Sequence, residues 1–314
     1  MKAFVLEDFD TELRLSDYLP EPEAAQGELL VRVRASSANP VDNAVAGGML
    51  RGMAEYEFPV TLGRDFAGVV ERVGSGVDSY AEGDEVFGFV PATAPDVRDG
   101  AWTEIARVPT AGGFVTEKPA GVDFTSAGAA SVAALTGLVA VNALELRASD
   151  TVLIVGAAGG VGSFAVQLAK RAGAHVIAPG LPEDEGYLVD LGADHVIPRD
   201  CDVVAQAREL ESGGVNALID SISMTPEDLE VYAAALADGG RVASPVSAAG
   251  EGPRRHNVGG SGENGVIETL ATLLDEGTLK VPIQRTYSLE EAGTALSDLQ
   301  EKHTQGKLAV SVAP

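Results

Sequence analysis

Apolar and polar residues alternate in short runs through residues 1–118, and turns rich in proline and glycine separate the runs. Within residues 28–36, for example, Leu29, Val31 and Val33 alternate with partners such as Arg32, which directs one face towards a core. Strands are predicted over residues 1–6, 28–36, 68–73 and 84–89. This spacing of short strands and turns is typical of a small, mostly β barrel.

The pattern changes near residue 121. Residues 125–146 are rich in alanine and lack proline, which predicts one or two packed helices. Apolar strand-like runs then alternate with helical periodicity, which is the signature of a doubly wound parallel sheet. Strands are predicted at 151–155, 175–178, 195–197, 217–220 and 240–244. Helices are predicted at 161–172, 184–191, 203–210 and 226–236.

The first of these units contains a glycine-rich turn. A continuously apolar run ends at Val155, Gly156, Gly159 and Gly162 follow at three-residue spacing, and a helical pattern begins. A strand, a glycine turn and a helix together favour binding of a dinucleotide pyrophosphate, because small residues admit the phosphates and the helix N-terminus attracts them. The alternative is a tight turn whose glycines serve packing only. The predicted cofactor-binding residues here are Gly156, Ala158, Gly159, Gly160, Val161 and Gly162.

Beyond residue 244 the chain becomes less regular. Residues 247–265 are rich in glycine and predict a crossing loop, followed by helices at 266–276 and 289–300. A final strand at 307–312 is expected to return to the first domain.

Composition narrows the function classes. The chain of 314 residues has 22 basic and 47 acidic residues, a net charge of −25, which excludes phosphate-rich partners such as nucleic acid and anionic membranes. The acidity is either an ordinary solvated surface or an adaptation to high salt. No apolar run is expected to reach the roughly 18 residues of a membrane span, so the protein is expected to be cytoplasmic. A single cysteine, Cys201, excludes an intrachain disulfide and a multi-cysteine zinc site.

Eight segments together resemble the medium-chain dehydrogenase/reductase superfamily, and within it the zinc-independent quinone oxidoreductase branch. They are GELLVRVRASSANPVD (27–42), LGRDFAGVVERVGSGV (62–77), EGDEVFGF (82–89), ALTGLVAV (134–141), GAAGGVGSFAVQLAKRAGAHVIA (156–178), LGADHVI (191–197), SLEEAGTAL (288–296) and GKLAVSV (306–312). The resemblance implies an α/β fold: a GroES-like, mostly β catalytic domain (1–120 and 263–314) and a Rossmann doubly wound domain (121–262).

The resemblance also predicts whether the chain carries the residues that bind zinc in zinc-dependent relatives. Where zinc-dependent relatives carry a cysteine, a histidine–glutamate pair and a third ligand, this chain has Asn39, Arg64 with Asp65, and Val132. Asparagine, arginine and valine cannot replace thiolate and imidazole ligands, so no metal is expected.

Catalytic candidates follow from the same resemblance, which places Asn39, Asp42 and Thr136 near the nicotinamide. An amide donor such as Asn39 suits a developing enolate, although an Asn–Pro pair is also a common turn initiator. Arg64 is either a charged donor to the substrate oxygen or the partner of an acid such as Asp65 or Glu71. Tyr56 is a further candidate, as a proton donor, but solvent could equally protonate an enolate.

The cofactor is expected to be NADP, with NAD possible. The second strand of the Rossmann pattern has no acid at its tip, but Glu183, Asp184 and Glu185 follow closely and could repel a 2′-phosphate. Arg199 falls where quinone reductases place a phosphate-binding side chain, and Ser221 and Ser244 end the fourth and fifth strands beside the expected nicotinamide.

The expected function is reduction of a small-molecule quinone or α,β-unsaturated carbonyl by NAD(P)H without metal. The alternatives are a metal-free alcohol or carbonyl oxidoreductase and a non-catalytic NAD(P)H-binding redox sensor. Members of this superfamily are often dimers, so a homo-oligomer is expected.

Overall fold

The computed structural model describes residues 1–9, 11–92, 98–259 and 265–312. Within these ranges the strands are β1 (Ala3–Leu6), β2 (Arg14–Ser16), β3 (Glu28–Ala38), β4 (Val60–Thr61), β5 (Asp65–Val73), β6 (Glu85–Phe89), β7 (Ile105–Pro109), β8 (Val115–Glu117), β9 (Thr151–Val155), β10 (His175–Gly180), β11 (His195–Pro198), β12 (Val215–Asp220), β13 (Leu236–Ser244), β14 (Arg255–Asn257), β15 (Ile283–Ser288) and β16 (Lys307–Ser311). The helices are α1 (Pro40–Ala46), α2 (Phe124–Ala143), α3 (Gly160–Arg171), α4 (Glu185–Leu191), α5 (Val203–Leu210), α6 (Pro226–Ala233), α7 (Val266–Asp275) and α8 (Ala292–Glu301), with short 3₁₀ turns at Pro182–Asp184 and Leu289–Glu291.

The chain forms two compact units. The first contains Met1–Val132 and Gly262–Pro314, and the second contains Ala133–Ser261. The division falls within α2, twelve residues later than the limit at residue 120 predicted from the sequence.

The first unit is built on a mostly antiparallel sheet that runs β15-β16-β3-β5-β6-β8, in which β15 and β16 pair in parallel and β7 is also paired to β3. Strand β16 pairs antiparallel with β3, and Leu308 lies opposite Ala38. The prediction that the last strand returns to the first domain is therefore confirmed. A smaller sheet, β2-β1-β4, belongs to the same unit.

The predicted alternation along β3 is also confirmed. Leu29, Val31 and Val33 are buried and join a core that includes Phe66 and Val86 on neighbouring strands. On the opposite face Arg32 is exposed, although Leu30 is buried. Removing these branched aliphatic side chains from water stabilises the sheet by roughly 1.5–3 kcal/mol each.

The second unit is the predicted doubly wound parallel sheet. Its strands run β11-β10-β9-β12-β13-β14, and every pair is parallel. The chain order reverses on either side of β9, because β10 continues to one side and β12 to the other. At such a switch point the strand ends separate and leave a crevice for a ligand.

Several local predictions were wrong. The helix expected at 226–236 ends at Ala233, because Leu236 already belongs to β13. The loop expected at 247–265 contains strand β14, and its residues 260–264 lie outside the described residues. The sequence reading also missed β2, β4, β7, β8, β15 and α1.

Helix α2 also corrects the expectation about apolar runs. It is 20 residues long with a mean hydropathy of 1.7, which would allow it to cross a membrane by length and composition alone. However, 72% of its apolar window is buried inside the protein. That burial is characteristic of a core helix, and the small residues of the helix permit close packing on several sides.

Candidate functional site

The glycine turn connects β9 to α3 in the second unit. Gly156 has φ +82°, in the left-handed region that favours glycine. A Cβ on Gly162 would overlap the carbonyl oxygen of Gly156 and lie 2.6 Å from the Cα of Ala157, so the helix can approach the turn only because residue 162 lacks a side chain. At Gly159 a Cβ would meet nothing closer than 3.5 Å. Gly162 is therefore required for packing, whereas the space beside Gly159 is open.

Helix α3 begins at Gly160, with Gly159 as its N-cap in an extended conformation. Its first N–H groups have no partner within the helix, and with the helix dipole they form a site suited to an anion. Lys170 and Arg171 lie in the last turn, where positive charge is favourable.

The carboxyl ends of the parallel strands bring several predicted residues to one edge of the sheet. The backbone N–H of Ser221 donates to the carbonyl of Val155 at 3.1 Å, beside the glycine turn. The backbone N–H of Arg199 donates to the carbonyl of Gly180, the last residue of β10, at 3.0 Å. Ser244 ends β13 at the same edge. Thr136 is buried on α2.

Two buried polar atoms at this edge have no hydrogen-bond partner among the described residues: Oδ2 of Asp220 and Oγ of Ser221. The other carboxylate oxygen of Asp220 accepts from the N–H groups of Ile222 at 3.0 Å and Ser223 at 3.1 Å. A buried polar atom without a partner is costly, so such atoms commonly mark a site for a ligand or water. Together with the glycine turn, they fit a dinucleotide with its hydroxyl and phosphate groups.

Ser244 has a different local role. It is fully buried, and its Oγ accepts from the backbone N–H of Ala248 at 3.0 Å. The hydroxyl oxygen thereby closes the turn that follows β13.

The three acids after β10, Glu183, Asp184 and Glu185, differ in how far they are buried. Asp184 is fully buried, and its Oδ2 accepts from the backbone N–H of Leu181 at 2.9 Å. This carboxylate closes the turn at the strand tip. Glu183 and Glu185 on either side are exposed.

The first unit contains a buried ionic cluster, which we define as Asn39, Asp42, Arg64, Asp65 and Lys307. All five are buried. The Lys307 ammonium donates to Oδ1 of Asn39 at 2.6 Å and lies 3.5 Å from Oδ2 of Asp65. The Asn39 amide nitrogen donates to the same Asp65 oxygen at 2.8 Å. Lysine, amide and carboxylate thus bind one another.

Two further groups complete the environment of Asp65. The Ser37 hydroxyl donates to its Oδ2 at 2.5 Å, and the backbone N–H of Val132 donates to its Oδ1 at 2.6 Å. A buried carboxylate needs this number of donors to offset its lost hydration. Val132, which is expected to replace the third zinc ligand, therefore donates a backbone hydrogen bond to Asp65.

Arg64 does not pair with either acid expected from the sequence. Its Nε lies 3.7 Å from Oδ1 of Asp42, and its Nη2 donates to the carbonyl of Thr61 at 2.7 Å. Asp65 instead contacts Lys307, while Glu71 pairs with Arg32 at 2.6 Å. The prediction of an acid partner was right in kind, but the partner is Asp42.

Asp42 lies at the start of α1. Its Oδ2 accepts from the backbone N–H of Asn39, the N-cap residue, at 2.8 Å, which anchors the first turn of the helix. Its Oδ1 and the Nε of Arg64 have no hydrogen-bond partner within the described ranges. Burial raises the pKa of Asp42 to about 7, although nearby Arg64 opposes the rise. Burial likewise lowers the pKa of Arg64 and of Lys307.

Tyr56, the other candidate, is partly buried beside Phe9 and Phe58. Its hydroxyl donates to the carbonyl of Val45 at 3.3 Å, and burial raises its pKa. The hydroxyl is thus anchored to the backbone of α1.

Sequence reasoning missed Lys307 and Asp220. A charged residue at the start of the apolar run KLAVS, and an acid ending the buried strand VNALID, were the available signals. Both residues interrupt segments that are otherwise buried, where an isolated charge needs a partner.

The residues present do not fit a catalytic zinc. Across the described ranges, no group of three or more His, Cys, Asp or Glu side chains could hold a metal ion. At the predicted ligand positions, the Asn39 amide and the Val132 backbone N–H donate to Asp65, a lysine provides the positive charge beside it, and the Arg64 guanidinium faces Asp42.

Comparison with known proteins identifies the family. Residues 25–132 match the alcohol dehydrogenase GroES-like domain, and residues 191–310 match the zinc-binding dehydrogenase domain. The chain belongs to the medium-chain dehydrogenase/reductase superfamily, in its quinone oxidoreductase-like branch. The predicted GroES-like and Rossmann fold class is confirmed.

Individual relatives extend over the whole chain. It is 29% identical to the NADPH-dependent alkenal/one oxidoreductase of Arabidopsis thaliana chloroplasts, over 100% of this chain and 80% of the relative. The quinone oxidoreductase of Coxiella burnetii is 29% identical and superposes with a TM-score of 0.84, covering 100% of this chain and 99% of that one. An NAD-dependent alcohol dehydrogenase is 28% identical with a TM-score of 0.85 over 100% of both chains.

Proposed function

We propose that this protein is an NAD(P)H-dependent, zinc-independent oxidoreductase that reduces a quinone or an α,β-unsaturated carbonyl. The observation that carries the proposal is the buried ionic cluster, in which Asn39 and Asp65, at positions that the resemblance aligns with zinc ligands, bind each other and Lys307. The relatives named for alkenals and quinones support the choice of substrate class.

The second unit supplies the residues that would hold the cofactor. Helix α3 starts at Gly160, and the free N–H groups of its first turn would bind the pyrophosphate of the cofactor. Gly156 and Gly162 keep the glycine turn before the helix compact. Asp220 and Ser221 offer unpaired oxygen atoms for hydroxyl or amide groups. A nicotinamide cofactor bound there supplies the hydride.

Conjugate reduction adds the hydride to the β-carbon of the substrate and leaves the negative charge on its carbonyl oxygen as an enolate. Water then provides the proton at the α-carbon. The Asn39 amide is bound by Lys307 and Asp65, and one carboxylate oxygen of Asp42 accepts from the backbone N–H of Asn39, so these contacts support positioning of β3 and α1 over direct donation to the substrate. Arg64, which is buried and bound to Thr61, has the same role in this proposal.

We propose NADP as the preferred cofactor. Asp184, one of the acids expected to repel a 2′-phosphate, is buried and accepts from the backbone at the tip of β10. The backbone of Arg199 is bonded to that same strand tip, at Gly180, which supports its predicted role as a phosphate-binding residue. The relatives differ on this point, since one is named for NADPH and another for NAD.

A substrate panel tests the proposal. Purified protein is mixed with NADPH or NADH and, separately, with a quinone, an enal or a saturated aldehyde, and consumption of the reduced cofactor is followed by absorbance. An alcohol is tested with the oxidised cofactor, and formation of the reduced cofactor is followed in the same way. We expect turnover of the quinone or enal and no loss of activity after treatment with a chelator.

Turnover of the saturated aldehyde or the alcohol alone would instead identify a metal-free carbonyl oxidoreductase. Nucleotide binding without turnover of any of the four would favour a redox sensor. Stoichiometric zinc in the active protein would contradict the proposed role of the buried ionic cluster.

A further inference from the structure

A second concave site lies within the second unit, and the cofactor proposal does not use it. It is a cavity of about 330 Å³ lined by charged residues and a glycine-containing loop. Its charged and loop residues are Arg147, Asp150, Asp238, Gly239, Arg241 and Arg254. Three arginines around one cavity stand out in a chain with a net charge of −25.

The cavity is at the amino edge of the sheet. Arg147 and Asp150 precede β9, Arg254 precedes β14, and residues 237–241 begin β13. The glycine turn follows the other end of β9. Because all the strands are parallel, the two sites occupy opposite edges, separated by a strand of about 16 Å. The phosphates of a cofactor bound at the glycine turn would therefore not reach the arginines.

An irregularity in β13 shapes the cavity. Val215 pairs with Leu236 and Ala217 pairs with Arg241, so three extra residues of β13 bulge from the ladder. Gly239 lies in this bulge, and a Cβ on it would be 2.9 Å from Nη1 of Arg254. The guanidinium of Arg254 thus lies close above the backbone of Gly239, where any side chain would displace it. Bulges of this kind often accompany functional sites.

The three arginines differ in how their charge is balanced. Arg241 is anchored, because its Nη2 donates to Oδ2 of Asp150 at 2.6 Å and its Nη1 donates to the carbonyl of Glu145 at 3.1 Å. Arg147 and Arg254 are exposed, and neither guanidinium has an ion pair with the residues that the structure describes. Asp238 is the remaining acid of the lining, so the cavity keeps an excess of positive charge.

We propose that this cavity binds a compact oxyanion, of which inorganic phosphate and pyrophosphate are the simplest forms. The Arg147 and Arg254 guanidinium groups provide the charged donors, and the Arg241–Asp150 pair holds the floor of the site in place. Guanidinium forks match the oxygen atoms of phosphate and bind them in pairs.

Calorimetric titration of pyrophosphate into the protein saturated with NADP⁺ tests the proposal. Saturation fills the nucleotide site, so binding that persists must occur elsewhere. We expect saturable binding that Arg254→Gln and Arg147→Gln each weaken about tenfold or more. Arg72→Gln, which removes an exposed charge from the first unit, is the control and should change affinity less than twofold.

The absence of saturable binding to the wild-type protein would overturn the proposal. Equal weakening by Arg72→Gln would also overturn it, since it would indicate attraction by overall charge alone. If Arg254→Gln alters the circular dichroism spectrum, its affinity for pyrophosphate is not interpreted and the Arg147→Gln variant provides the test. An unchanged affinity of Arg147→Gln for pyrophosphate would then contradict the proposed site. None of these outcomes depends on catalytic activity, so they are independent of the proposed reaction.

Discussion

Within the buried ionic cluster, the group formed by Lys307, Asn39 and Asp65 treats its polar atoms in the opposite way from the carboxyl edge of the second unit. These three side chains bind one another and leave little capacity for a ligand, whereas Oδ1 of Asp42 and Nε of Arg64 in the same cluster have no hydrogen-bond partner within the described ranges. At the edge, Asp220 and Ser221 retain buried oxygen atoms that have no partner in the described structure. Mutually satisfied groups build and position a framework, whereas unsatisfied groups beside a glycine turn suit a ligand.

The largest expected effect comes from breaking the cluster at Lys307. Lys307→Met leaves the Asp65 carboxylate without a counter-ion in a fully buried position, and we expect a loss of about 3–5 kcal/mol in unfolding free energy. Denaturant unfolding measures it. Adding Asp65→Asn removes the unpaired charge and should recover part of the loss. A double variant destabilised by the sum of the single variants would show that the two charges do not interact.

The pH dependence of the unfolding free energy tests the part of the buried ionic cluster in which Asp42 faces Arg64. The folded pKa of Asp42, about 7, lies above its unfolded value of roughly 4, so the folded state retains a proton that the unfolded state releases. The resulting stabilisation is complete below the unfolded pKa and is lost as the pH rises from 4 to 7.

We therefore expect wild-type stability to fall by roughly 2–4 kcal/mol over this range relative to Asp42→Asn. Unfolding by urea at a series of pH values provides the measurement. The matched control is Asp78→Asn, an exposed position, which should follow the wild-type profile. Parallel profiles for wild type and Asp42→Asn would mean that the pKa of Asp42 is the same in the folded and unfolded states, which contradicts the prediction.

The glycine turn offers a matched pair of substitutions. Gly162→Ala places a Cβ against the backbone of Gly156 and should cost about 1–3 kcal/mol of stability, with weaker nucleotide binding. Gly159→Ala meets only ordinary contacts and should change stability by less than about 0.5 kcal/mol. Thermal unfolding of the two variants separates them, and equal destabilisation would contradict the packing role assigned to residue 162.

Arg199 provides the smallest and most selective effect. Because its side chain is exposed at the tip of β11, Arg199→Gln should leave stability unchanged and weaken NADPH binding about tenfold, with NADH binding unaffected. Fluorescence titration with both nucleotides measures the ratio. Equal affinities of wild type and variant for NADPH would remove Arg199 from the phosphate site.

Local pattern was sufficient to place β9 and α5, which occur at the predicted bounds. The core-facing side of β3, with Leu29, Val31 and Val33, was also read correctly. Local pattern was insufficient where pairing with another strand sets an element or its end. Strand β14 exists because β13 pairs with it, and the helix after Pro226 stops early because β12 draws Leu236 into the sheet.

The candidate site residues also divide into those that the sequence predicted and those whose partners only the tertiary structure revealed. The sequence by itself determined the family and the glycine turn, because these depend on residue type and local spacing, and its resemblance to the family led to the prediction that Asn39, Arg64 and Val132 replace zinc ligands. Only the tertiary structure decided that Arg64 faces Asp42 and that Lys307, 268 residues beyond Asn39, binds its amide. Partners of buried charges are chosen by strand register across the sheet, and no local pattern records which distant strand will supply the opposite charge.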